Sequence, residues 1–120
     1  MLINISQIPC LQWDPLQRDA AFREYGLVVD YRFPEVSASA TKEDISTIAH
    51  EVVKDILQRN QEAVYLVKGE LSLTIAIIDI LRKKGCVCVT PASERWVEEI
   101  QHGKHSQKRT RHRFVQFREV

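Results

Sequence analysis

The chain has 120 residues, 44% hydrophobic and 28% charged, which are the proportions of a globular protein. They exclude wholesale disorder and collagen-like or low-complexity architecture. No apolar run reaches the roughly 18 residues a membrane span needs, and the start MLINISQIPC lacks the charged region and long apolar stretch of a signal peptide. The net charge of +1 is an average over two unlike parts: residues 1–102 carry 11 Lys and Arg against 15 Asp and Glu, a net of −4, whereas residues 103–120 carry 6 against 1, a net of +5.

Leu2–Ser6 (LINIS) is a short strand-like run that ends at Gln7 and Pro9. Asp14 and Pro15 then supply an N-cap and a first helical residue, with Gln17 spaced for a capping box. This first helix runs to about Tyr25, where Gly26 is placed to end it. Leu27–Phe33 is a second strand closed by Pro34, and residues 34–40 form a small-residue loop.

Thr41 caps the second helix, with Asp44 at its third helical position. Ile45, Ile48, Ala49, Val52, Val53, Ile56 and Leu57 follow at the spacing of a helix with one buried face, and Asn60 ends it. Ala63–Val67 has the length and composition of a strand buried on both sides.

The third helix, about Glu70 to Lys84, is apolar around most of its circumference. A helix lying on a sheet needs only one apolar stripe, so a homodimer through this helix is expected. Gly85 ends it and Cys86–Val89 is the fourth strand. Thr90 and Pro91 are expected to open a short helix through about Gln101, broken by Gly103, and Arg111–Arg118 reads as a last, partly exposed strand.

Repeated strand–helix alternation predicts an α/β protein: a single Rossmann-like domain over 1–120, mainly parallel, with helices on both faces and a C-terminal edge strand. In such sheets ligands bind outside the carboxyl ends of the strands. That rule nominates the loops Ser6–Pro9, Asp30–Phe33, Lys68–Thr74 and Thr90–Arg95.

In the third of these, Gly69 permits close backbone approach, the helix N-terminus offers free N–H groups, and Lys68, Ser72 and Thr74 add a charge and hydroxyls. Glu70 competes with phosphate there and suits a ribose hydroxyl; alternatively, Gly69 only makes the turn and Glu70 complements the helix dipole. Ser93 can cap or bind phosphate and Arg95 can clamp one, or else Arg95 pairs with Glu98 or Glu99 on a helix. Ser6, Gln7 and Arg32 complete the candidates.

The four glycines at 26, 69, 85 and 103 form neither G-x-G-x-x-G nor a P-loop, so no NAD, FAD or ATP held by the usual phosphate loop is expected, and no cofactor is assigned. Cys10, Cys86 and Cys88 have no disulfide-framework spacing; buried, inert thiols in a reducing cytoplasm are expected, with no metal site. His50 sits at the edge of a helical apolar stripe and reads as structural. Lys104, Lys108, Arg109, Arg111 and Arg113, interrupted further on by Phe114 and Phe117, suit phosphate contact and base stacking. The alternative is a solvated hairpin whose aromatics face the core.

LINIS, the Trp-Asp-Pro helix opening, VVDYRFPEV, KGELSLT, TPASERWVEE and FVQFREV together resemble small uncharacterised proteins found with CRISPR systems. They look like minimal relatives of the CRISPR-associated Rossmann-fold (CARF) proteins, over nearly the whole chain but on short motifs. The resemblance implies binding of a cyclic oligoadenylate messenger and, for some small members, its opening by a ring nuclease activity. It carries over no catalytic residue. Metal-independent cleavage would use the ligand's own 2′-hydroxyl, and a two-fold dimer suits a ring-shaped ligand. The rival expectations are a non-enzymatic nucleotide sensor and an RNA-binding or interaction module.

Overall fold

The computed structural model describes residues 1–59 and 62–120. Its strands are β1 (Leu2–Ser6), β2 (Val28–Arg32), β3 (Val64–Lys68), β4 (Val87–His102) and β5 (His105–Glu119), and its helices are α1 (Pro15–Tyr25), α2 (Lys42–Arg59) and α3 (Leu71–Lys83). One sheet has the order β2-β1-β3-β4-β5, parallel except for β5, which pairs antiparallel with β4 at the edge. The expected α/β class and edge strand are therefore present.

Both faces of the central strands are covered, which is why β3 reads as an apolar run up to Lys68 and β1 as apolar up to Ile5 save for Asn4. On one face Ile3, Ile5, Tyr65, Val67 and Cys88 pack against the buried stripes of α2 (Ile45, Ala49, Val52, Val53, Ile56) and α3 (Leu73, Ile77, Leu81). On the other face Leu2, Leu66 and Val89 meet Cys10, Trp13 and Ala21 around α1.

The helix starts follow the local chemistry. Asp14 accepts from the Leu16 amide at 2.8 Å with Pro15 first in α1, and Gly26 leaves that helix at φ 79°. Thr41 and Asp44 bond reciprocally to each other's amides at 3.1 and 2.9 Å at the start of α2. The expected helix end at Asn60 lies outside the described residues.

The apolar circumference of α3 is mostly absorbed by its own chain, between the sheet and α2; Leu71 and Ile75 stay 71% and 59% exposed. Among the described residues no helix is long and apolar enough to cross a membrane.

The main departure lies after Val89. No helix follows Thr90 and Pro91: β4 continues to His102 and turns back into β5. Only Val87–Val89 pair with β3, so from Thr90 onward β4 has β5 alone as a partner. Pro91 is tolerated because it stands past the last residue bonded to β3, and a bulge at Ala92/Ser93 follows it. Gly103, expected to break a helix, instead makes the tight turn at φ 61°, the left-handed conformation that a two-residue hairpin loop requires. The result is a two-stranded arm about 34 Å long at 3.4 Å per residue, continuing past the carboxyl edge of the sheet.

Candidate functional site

Parallel pairing puts the last residues of three strands in one row. Ser6 of β1 is in register with Arg32 of β2 on one side and with Lys68 of β3 on the other. Neighbouring strands lie about 4.8 Å apart, so the two cations flank Ser6 and, sharing its register, leave the sheet on its face. Neither cation enters an ion pair among the described residues.

Two cavities open on this row and share Ser6, Gln7 and Gln12. One, of about 530 Å³, lies outside β1 and β2 and includes Asp30, Arg32 and Glu35. The other, of about 400 Å³, lies outside β1 and β3 and adds Trp13, Gln17, Lys68, Gly69 and Pro91. Strand order reverses between β1 and β3, the position where open parallel sheets bind ligands, and either volume accommodates a mononucleotide.

A buried amide shapes the loop between them. Asn4, 1% exposed, donates through Nδ2 to the Ile8 carbonyl and to Asp30 Oδ1, both at 2.9 Å, while its Oδ1 lies 2.7 Å from the Ser6 hydroxyl. Asp30 Oδ1 also accepts from the Cys10 amide at 3.0 Å. These bonds tie Ser6–Cys10 to β2 and leave Gln7 and Gln12 on the rim. Burial, with the Asp30 carboxylate beside it, pushes the Cys10 thiol up from its ordinary value. Cys88 is pushed up to about 11 by burial and then by Cys86.

The loop from Lys68 to Thr74 follows the alternative in which Glu70 serves the helix terminus, not the anion cradle. Glu70 is the N-cap of α3, its two carboxylate oxygens accepting from the Ser72 and Leu73 amides at 3.0 and 2.9 Å. Those bonds hold its carboxyl below the usual range. The helix N-terminus is thus already occupied by an anion. Gly69 serves a close approach, but to Phe33: a Cβ there would stand 2.5 Å from the ring. Thr74 accepts from the Gly69 amide at 3.1 Å. Ser72 points elsewhere, into the groove between α2 and α3.

Ser93 and Arg95 lie on the arm, where Arg95 stands opposite His112 rather than beside Glu98 or Glu99 on a helix. Phe114 is buried, and Phe117 packs on Trp13 and Tyr25 with ring centroids 6.4 and 5.7 Å apart, so both aromatics face the core and not a nucleic acid base. His50 Nδ1 lies 2.8 Å from the Ser46 carbonyl oxygen within α2. No cluster of three His, Cys, Asp or Glu is spaced to hold a metal ion among the described residues.

Of the candidates, the structure brings together Ser6, Gln7, Arg32, Lys68 and Gly69. It adds Gln12 and also Gln17, which the sequence marks only as a capping-box residue; their one signal is an amide at 7, 12 and 17 around the first helix start.

A match to a family model covers residues 1–118, under the description Uncharacterized protein MJ1673 family. The chain belongs to that family. No curated protein and no solved structure matches it. In this member of the MJ1673 family, the row Arg32–Ser6–Lys68 sets two cations, neither in an ion pair among the described residues, beside a rim of glutamines.

Proposed function

We propose that the protein binds a nucleotide carrying more than one phosphate at the carboxyl ends of β1, β2 and β3, within a body of Rossmann-like type. The observation that carries this reading is the placement of Arg32 and Lys68 on either side of Ser6 in a single register row. Two cations about 10 Å apart across three strands suit two phosphates better than one. Gln7, Gln12 and Gln17 offer amide groups that pair with the donor and acceptor edge of a purine, as Gln does with adenine.

Cyclic oligoadenylate is the ligand that the resemblance to CARF proteins puts first, in a protein that acts alongside a CRISPR system. A second copy belongs to this reading. A ring with rotational symmetry is met by two crevices related by a two-fold axis, and the exposed Leu71 and Ile75 are the apolar groups that contact would cover. Opening of the ring would proceed by attack of a ligand 2′-oxygen on the adjacent phosphorus. The 5′-oxygen leaves with a proton and a 2′,3′-cyclic phosphate remains, with Lys68 placed to stabilise the phosphorane.

Purified protein incubated in EDTA with cyclic tetra- and hexa-adenylate tests this directly. Saturable binding that weakens at least tenfold in both Lys68→Gln and Arg32→Gln is the expected result. Linear products would establish turnover, binding alone a sensor, and no binding of either ring would remove the reading. Sedimentation is expected to show a dimer that Ile75→Glu dissociates.

A further inference from the structure

The arm formed by residues 93–113 is unlike the rest of the molecule. Apart from Glu98 and Ile100, its residues are exposed on both faces, and its ladder joins only β4 to β5. An isolated two-stranded ribbon is marginal in water without a third layer to cover it. Its charges are sorted by strand: β4 contributes Glu94, Glu98 and Glu99 with Arg95, whereas the returning side, from Lys104 to Arg113, carries five cations and no acid.

Residues two apart on a strand share a face. Arg109, Arg111 and Arg113 therefore form one column at intervals of about 6.8 Å, close to the separation of successive phosphates along an extended single strand. Trp96, 41% exposed, lies directly opposite Arg111 on that face.

We infer that the β5 side of the arm is a docking surface for single-stranded nucleic acid. Phosphates follow the arginine column and a base stacks on Trp96, as bases stack on aromatic platforms in other single-strand sites. The sorting of charge selects a single strand over a duplex. A two-stranded ribbon fits a major groove, but there both of its edges face phosphate backbones, and the acidic β4 edge would be repelled by one of them. The glutamates also hold the column in place, as the Arg111–Glu98 ion pair at 2.8 Å does. This surface is separate from the Arg32–Ser6–Lys68 crevice, and either can fail without the other.

Fluorescence polarisation with short labelled single strands of RNA and of DNA, and the matching duplexes, over a series of salt concentrations tests the inference. Single strands are expected to bind at low salt, with the logarithm of the association constant falling against that of salt with a slope of about −2 for three contacts. Arg109→Gln combined with Arg113→Gln spares the Arg111–Glu98 pair and is expected to weaken binding at least tenfold and to flatten the slope by about 1.4. Trp96→Ala is expected to cost about tenfold. Glu94→Gln removes the acid that stands opposite Arg113 on the face of the column and is expected to tighten binding severalfold, an effect that damage to the arm would not produce. The inference is overturned by absence of binding at low salt, by unchanged affinity in the double variant, or by duplexes bound as tightly as single strands. Sedimentation showing a dimer that the same arginine substitutions dissociate would also overturn it, making a second copy the occupant.

Discussion

Asn4 shows how one polar residue in an apolar strand can organise a site. Its side chain, itself buried, donates to the Ile8 carbonyl and to Asp30, two residues at the exposed rim of the sheet. Asn4→Ala should cost about 1–3 kcal/mol, roughly 0.5–1.5 for each of the two donated hydrogen bonds that are lost, and urea denaturation would measure it. Gly69 is constrained by space and not by backbone conformation, since its added Cβ would meet a buried ring. Gly69→Ala should destabilise by about 1–3 kcal/mol through overpacking, and Gly69→Ala with Phe33→Leu should recover part of that loss in the same assay.

Glu70 has a pH signature. Its carboxyl is held below its ordinary value of 4.5 by the Leu73 and Ser72 amides. Its contribution is therefore present above that value and is lost as pH falls through the lowered one. Protection of the Ser72 and Leu73 amides, read as exchange relative to the intrinsic rate at each pH, should fall over that acidic interval, and Glu70→Gln should abolish the dependence.

At the scale of elements, the helices were legible because their signals are local. Caps at Asp14 and Thr41, the stripe from Ile45 to Ile56 and the glycine at 26 act within a turn or two of the chain. The segment after Val89 was not legible for the opposite reason. Thr90, Pro91 and the Glu-rich stretch beyond suit a helix start, yet this segment takes its structure from a partner strand up to 28 residues away, where Thr90 pairs with Arg118. There Glu94 meets Arg113, Glu98 meets Arg109 and Glu99 meets Lys108, and such cross-strand pairing overrides intrinsic preference.

Phe117 follows the alternative of a hairpin whose aromatics face the core, and the structure supplies its partners: it packs on Trp13 and Tyr25 and so fastens α1 to the edge of the sheet. Within α1 only Ala20 and Ala21 are buried, so the helix depends on that aromatic contact. Phe117→Ala should cost about 2–3 kcal/mol, slightly less than for a fully buried phenylalanine. Amide exchange should show α1 opening before α2 and α3.

For the whole molecule, the radius of gyration of 17.3 Å exceeds the roughly 14 Å of a compact chain of this length. The excess and the 58 Å long axis arise from the arm. Because the exposed arm adds little to either core, replacing residues 94–112 with a short turn should leave the urea midpoint nearly unchanged. X-ray scattering should then give a radius near 13 Å.

The sequence by itself determined the α/β class, the strands and helices up to Val89, the edge strand, and the division of charge behind a net of +1. Each of these follows from periodicity, capping or composition, which act locally or need no geometry at all. Only the tertiary structure decided that Ser6, Arg32 and Lys68 share a row, that Glu70 occupies its own helix terminus, and that the basic segment is one side of a ribbon faced by glutamates. Those outcomes depend on register between strands far apart in the chain, and register is set by the packing of both sheet faces together.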